Sequence, residues 1–279
     1  MTYEKFNPTE LLRPFVECYY VWESQQKLEH EFIVESPPSG HCSIVFNYGD
    51  PYYLQNTKYN KLAVPKHFIS GQSIYSYKLF LKGQIGIAGI VLKPAALASL
   101  FNLPAYELTE ERVNLDNVFN LQLLQSYITK IETAANAKER VKTLEAFLLN
   151  QIQIKEPKPD FIDEAANLII EKKGLLSVND LVENSCMSRR TFERHFFQKV
   201  GLSPKYYARI RRIGYICNLI AGKQKVNWKD VFYECEFYDQ AHFIKDFEEF
   251  TGRAPQQYLQ ENTELANYVE KPKSQHLDY

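Results

Sequence analysis

Between positions 14 and 92 the apolar residues fall in short runs, 15–22, 31–35, 42–48, 77–81 and 85–92, each rich in Val, Ile, Phe and Tyr. Turn formers separate them at Pro37-Pro38-Ser39-Gly40, Gly49-Asp50-Pro51 and Lys82-Gly83. Several short strands at such spacing predict a sandwich- or barrel-like unit. Gly83, Gly86 and Gly89 lie between two strand-like runs with no helix before Pro94, so they read as a bulged strand pair, not a phosphate loop.

After Pro94 the period lengthens. Leu123, Leu124, Tyr127, Ile128 and Ile131 recur at helical spacing, as do Val141, Leu144, Leu148 and Ile152. These stripes cover the β-unit, pair with a second copy of the chain, or do both. Lys155-Glu156-Pro157-Lys158-Pro159-Asp160 then reads as a linker, because the two prolines stop a helix and favour extended backbone. From Asp160 onward the pattern is helical almost throughout. Phe161, Ala165 and Leu168 share a face, and Gly174 suits a helix C-terminus.

The C-terminal part contains a duplication. Phe192, Phe196, Gly201, Pro204 and Tyr207 recur 51 residues later as Phe243, Phe247, Gly252, Pro255 and Tyr258. Ser188 pairs with Asp239, both good N-caps, and Arg194 with Lys245. In each copy two Phe at i, i+4 bury a stripe and a Gly ends the helix. A shorter helix precedes each copy, opened by Ser177-x-x-Asp180 or Asn227-x-x-Asp230. The unit is helix, tight turn, capped helix: a helix-turn-helix, present twice. Between the copies, Tyr206, Ile210, Ile213, Cys217 and Ile220 step along a helix over Pro204–Ile220. At 1.5 Å per residue that helix is about 25 Å long. It can hold two recognition helices about one DNA turn, ~34 Å, apart.

Composition narrows the class. The 279 residues are 45% hydrophobic and 14% aromatic, enough to build a core and long enough for about two domains. The N-terminal MTYEKFNPTELLRPF lacks the pattern of a secretory leader, and the longest apolar run, 85–92, is too short to span a bilayer, so a cytoplasmic location is expected. The five cysteines are scattered without a C-x-x-C and read as reduced thiols. Cys186 and Cys235 sit in the helix-turn-helix turns and read as packing residues. His30, His41 and His67, with Cys18 and Cys42, show no metal-ligand spacing, so no metal and no other cofactor is expected. No G-x-S-x-G, G-x-x-x-x-G-K or H-E-x-x-H motif points to an enzyme.

The net charge of −1 conceals its distribution. Residues 1–159 sum to zero and 160–184 to −4, whereas 185–225 carry ten basic residues against Glu193 alone, a balance of +9. Residues 226–260 return to −4. A basic stripe on one helix-turn-helix and its linker helix is the electrostatic footprint of a DNA-binding surface.

These residues carry a family resemblance. Leu181-Val182, Met187-Ser188-Arg189-Arg190-Thr191-Phe192-Glu193-Arg194-x-Phe196 and Gly201-Leu202-Ser203-Pro204 resemble the first helix-turn-helix of AraC/XylS-type transcription regulators. Tyr238-Asp239-Gln240-Ala241-His242-Phe243-x-Lys245-x-Phe247 and Thr251-Gly252-x-Ala254-Pro255 resemble the second. The resemblance spans about 175–260. It implies a seven-helix domain that binds double-stranded promoter DNA and activates transcription, with RNA polymerase as a further partner. By the same resemblance Arg190, Glu193 and Arg194 read bases from the first recognition helix, and Gln240, His242 and Lys245 from the second. Arg189, Lys199, Arg209, Arg211 and Arg212 are expected to meet phosphates. The second unit departs from the family pattern at Phe232, Glu236, Glu248 and Glu249, which predicts that it contributes less to affinity than the first. The N-terminal half, through Cys42-Ser43-Ile44-Val45-Phe46-Asn47-Tyr48-Gly49-Asp50-Pro51 and Gly89-Ile90-Val91-Leu92-Lys93-Pro94-Ala95, resembles the sensor domains attached to some of these regulators.

The expectation is therefore an α+β chain. A β-rich sandwich- or barrel-like sensing or dimerisation domain with flanking helices spans 1–153. An all-α DNA-binding domain with two helix-turn-helices joined by a linker helix spans 160–260, and 261–279 is a flexible tail. A small-molecule effector in the β-unit would shift how the helices at 118–151 present the DNA-binding domain, in a monomer or homodimer. The alternative is a ligand-binding protein or enzyme whose helical C-terminal domain no longer binds DNA.

Overall fold

The structure, a computed structural model, describes residues 1–155 and 158–261. The expected tail, apart from Glu261, lies outside the described residues.

The N-terminal region is built on two antiparallel sheets. The first has six strands in the order β1 (Thr2–Phe6), β2 (Val16–Glu23), β9 (Gly86–Leu92), β4 (Cys42–Asn47), β7 (His67–Ser70) and β10 (Val113–Asn114). The second has four, in the order β3 (Leu28–Ser36), β8 (Tyr77–Gly83), β5 (Tyr53–Gln55) and β6 (Leu62–Ala63). Each apolar run in the sequence became a strand. The short strands β1, β5, β6, β7 and β10 have too little alternation to announce themselves.

The glycine-spaced segment is a correction to the sequence reading. β8 and β9 follow one another in the chain but do not pair. β8 joins β3 and β5, while β9 lies between β2 and β4. The chain changes sheet at Gly83, whose φ is +80°, and Asp50 Oδ2 accepts from the Gln84 N–H at 2.7 Å to hold the corner.

The first sheet is buried on both faces. Trp22, Val45, Phe68 and Ile87 face Val34 and Leu81 across the gap to the second sheet. On the other face, Tyr19, Ile44, Phe46 and Ile90 pack beneath α1 (Ala96–Phe101), α3 (Leu121–Thr133) and α4 (Ala137–Lys155). Leu124, Ile128, Ile131, Val141, Leu144 and Leu148 enter that core, so the two helical stripes cover their own sheet. Ile152 lies outside the described side chains.

The C-terminal region has seven helices: α5 (Phe161–Glu171), α6 (Val178–Asn184), α7 (Arg189–Val200), α8 (Pro204–Ile220), α9 (Trp228–Glu234), α10 (Gln240–Thr251) and α11 (Pro255–Glu261). Asp160 and Asp163 close a capping box on α5. Ser188 caps α7 by accepting from the Thr191 N–H at 3.3 Å, and Asp239 caps α10 by accepting from the His242 N–H at 2.7 Å. Ser177 makes no side-chain cap bond on α6, whereas Asn227 does on α9. Gly201 and Gly252 end the two long helices at φ of 85° and 73°.

The two regions share more than a linker. Ile74 and Ala95 of the N-terminal region are buried in the helical core beside Phe196, Tyr207 and Ile210. The Tyr207 hydroxyl donates to the Gly40 carbonyl at 2.9 Å, and the Ser76 N–H to the Phe250 carbonyl at 2.9 Å. Arg211 donates to the Ser39 carbonyl, and Arg253 pairs with the buried Glu35. Gly214 sits where an added Cβ would collide with the Pro38 carbonyl. α1 and the one-turn α2 (Ala105–Leu108) lie against α7. The route between the regions thus runs through the loops at 36–41 and 71–76 and through α1 and α2. The helices at 118–151 pack on the sheet, and α4 also touches α1.

Candidate nucleic-acid interface

Each helix-turn-helix forms because its long helix has one aromatic stripe to bury. In α7, Phe192, Phe196 and Val200 are fully buried; in α10, Phe243, Phe247 and Phe250 are. That burial turns the opposite faces outward. Arg190 and Arg194 are exposed on α7, with Glu193 half exposed beside them. Gln240, His242 and Lys245 are exposed on α10.

The two turns differ by one residue. α9 starts 50 positions after α6, but α10 starts 51 after α7. The first turn covers 185–188 and the second 235–239. Each passes through the left-handed region, at Cys186 (φ 54°) and Glu236 (φ 53°), a conformation that favours glycine. Cys186 is exposed in its turn, whereas Cys235 is buried, and burial pushes the Cys235 thiol up to about 11.

Four of the five expected phosphate contacts are turned inward. Lys199 pairs with Asp163 at 2.6 Å and Asp160 at 2.9 Å. Partial burial alone would lower its pKa, but the two carboxylates outweigh that and hold it above the usual lysine value. Arg209 reaches across from α8 to α10. It forks onto Asp246 at 3.1 and 2.7 Å and also bonds Glu249. Arg211 is occupied by the Ser39 carbonyl. Arg212 donates to the Gly174 carbonyl at 3.2 Å and lies over the Phe237 ring at 5.3 Å. Arg189 remains on the surface, paired to Glu193 at 3.0 Å. Sequence charge counting missed this because the partners, Asp160, Asp163, Asp246, Ser39 and Gly174, come from other elements. Lys205, Lys223, Lys225 and Lys229 are exposed.

Among the remaining candidate residues, His242 lies 3.5 Å from the buried Asp246, which ties its ring to the Arg209 cluster. Phe197 follows Arg190 and Arg194 on the same face of α7, and its ring stacks on Tyr106 of α2 with centroids 5.6 Å apart. The C-terminal end of that face thereby touches the N-terminal region, while Phe197 keeps 46% of its surface exposed. Sequence periodicity marks Phe197 as off the buried stripe but does not show what it stacks on.

A cavity of about 700 Å³ lies between the two sheets. Its lining includes the apolar side chains of Trp22, Val45, Phe68 and Leu79 and, from α8, Arg211 and Tyr215. His41 lines the cavity; burial, reinforced by the Arg211 charge, holds its imidazole well below the usual histidine range. Among the described residues no cluster of His, Cys, Asp and Glu could hold a metal ion, and no helix is long and apolar enough to cross a membrane.

Residues 181–261 match a family described as a helix-turn-helix domain, and the duplicated unit above falls within the match. This region is an AraC-type helix-turn-helix domain. Residues 4–114 match a family described as a domain of unknown function, DUF6597. Among solved structures, the chain is similar to ToxT from Vibrio cholerae, with 12% identity over 88% of this chain and 98% of that one and a TM-score of 0.45. A ToxT structure with bound unsaturated fatty acid gives 12% identity, 91% and 98% coverage, and a TM-score of 0.45. The AraC-like transcriptional activator CuxR gives 13% identity, 77% and 84% coverage, and a TM-score of 0.30. No curated protein matches the chain. In the AraC-type domain of this chain, the two recognition helices, the linker helix α8 and the capped turns occupy the order that the duplication predicts.

Proposed function

We propose that this chain is a sequence-specific, DNA-binding transcription regulator. The observation that carries the reading is the pair of capped helices α7 and α10. Each buries its Phe stripe and turns a polar face outward, and α8 joins them. Arg190 and Arg194 would meet guanine edges in the first half-site, with Glu193 accepting from cytosine. Gln240, His242 and Lys245 would meet the second. Arg189, Lys205, Lys223 and Lys225 would position the domain on phosphates.

The cavity supports an effector-responsive form of this reading. A small molecule bound between the sheets would touch Arg211 and the 36–41 loop, both of which bind the AraC-type domain to the N-terminal region. Binding there would change how firmly α7 is held and so the fraction of chains able to engage promoter DNA, to the benefit of transcription.

The test is selection of bound duplexes from a random library by the full chain, followed by anisotropy titrations at fixed salt. The expected outcome is two motifs about one turn apart, with weakening by about tenfold or more for Arg190→Ala or Arg194→Ala. A chain that enriches no sequence overturns the reading and favours a ligand-binding protein whose helical region has lost DNA binding.

A further inference from the structure

Aligning the second recognition helix on the first places Ala241 where Arg190 stands, Lys245 at Arg194 and Glu248 at Phe197. The outward N-terminal position of α10 thus carries a methyl group in place of a guanidinium. The longer second turn changes what stands beside it. Glu236 takes the left-handed conformation, Phe237 turns into the core at 6% exposure, and Tyr238 turns out at 95%. Tyr238 directly precedes the N-cap Asp239. No hydrogen bond or ring contact holds it among the described residues. Ala241 and Lys245 stand one turn apart on the exposed side of α10, and the exposed Tyr238 lies in the turn immediately ahead of that helix.

N-terminal residues of a recognition helix are the ones that meet base edges, and apolar side chains there meet the 5-methyl group of thymine. From this placement we infer that the second unit reads thymine methyl groups through Ala241 and Tyr238, whereas the first reads guanine through Arg190 and Arg194. The two half-sites then differ in kind: the first rich in guanine, the second in thymine. The acids on the second unit fit this division, since a methyl contact needs no added positive charge. The Tyr238 hydroxyl, at the rim, is placed to donate to a flanking phosphate oxygen.

This inference rests on the proposed function, and one experiment separates the two. The full chain is titrated with its selected duplex and with duplexes in which thymines of the second motif are replaced one at a time by deoxyuridine, which lacks the methyl group. Loss of a contacted methyl should weaken binding by about fourfold. Tyr238→Ala should abolish the difference between thymine and deoxyuridine at the position that Tyr238 touches. Tyr238→Phe should keep that difference, and Arg194→Ala should leave it intact. Because Tyr238 is fully exposed, its replacement does not threaten the fold. Equal affinity for thymine and deoxyuridine duplexes overturns the inference but leaves the regulator reading standing, as does full methyl discrimination by Tyr238→Ala. A chain that selects no duplex overturns both.

Discussion

The two helix-turn-helices share a sequence plan but occupy different surroundings. The first carries the positive charge, with Arg190 and Arg194 outward. Its recognition helix is also held by the N-terminal region, through α1, α2 and the Phe197–Tyr106 stack. The second is acidic, and its reading face is open, with Tyr238 and Lys245 exposed. It is fastened to the first by Arg209, which joins α8 to Asp246 and Glu249. Both units are therefore tied to the N-terminal region, the first through α1, α2 and Phe197, the second through the Ser76–Phe250 hydrogen bond and the Glu35–Arg253 pair.

The two units share their buried aromatic stripes. Phe196→Ala and Phe247→Ala each remove a ring from a fully buried stripe and should each cost about 3–5 kcal/mol in denaturant unfolding. A much smaller loss for Phe247→Ala would show that the second unit is less tightly packed than the first. Next comes the dependence of the helical core on the N-terminal region. Ile74→Ala should cost about 2–4 kcal/mol and lower the unfolding midpoint of the helices as well as of the sheets. A fragment covering 160–260 alone should unfold at lower denaturant than the same helices in the full chain; equal midpoints would make the two regions independent.

The division of affinity is read by duplex titration. Arg194→Ala should weaken binding by roughly 1–3 kcal/mol and Lys245→Ala by less. A larger loss for Lys245→Ala would reverse the assignment. Tyr106→Ala should remove about 0.5–1.5 kcal/mol of stacking and tighten DNA binding by releasing Phe197 at the end of α7. Unchanged affinity would show that the stack does not restrain the helix.

The smallest effect is the clamp of Lys199 on Asp160 and Asp163. Burial alone would raise the Asp160 pKa, but its bonds to Lys199 and Asp163 outweigh this and hold it below the usual 3.8. A depressed carboxylate stabilises the fold above its unfolded pKa. That contribution is lost as pH falls below 3.8 and through the lower folded value. Lys199→Ala should therefore flatten the acid limb of the stability curve, by less than about 1 kcal/mol for so exposed a carboxylate. An unchanged acid limb would show that Lys199 does not control Asp160.

Much of this architecture was legible in the residues themselves. The Phe stripes, the glycine ends and the N-caps act over one or two turns, so Phe192, Gly201 and Ser188 could be placed from spacing alone. The long strands were legible for the same reason. The direction of the basic side chains was not, because Lys199, Arg209, Arg211 and Arg212 are each held by a group outside their own helix. Nor was the change of sheet at Gly83, since pairing depends on β2, β3, β4 and β5 competing for the same edges. The apolar stripes of α3 and α4 were legible as stripes, but only packing could say that their partner was the chain's own sheet.

What the sequence determined by itself is local: helices capped at Ser188, Asn227 and Asp239, their duplication at a fixed interval, and a basic first unit beside an acidic second. Those features follow from backbone capping, side-chain period and charge, which need no distant neighbour. Tertiary structure alone decided which charges remain free for DNA. It also set the cavity against Arg211, completed the helical core with Ile74, and stacked Tyr106 on Phe197. Each depends on atoms brought together from opposite ends of the chain, and no local period encodes that meeting.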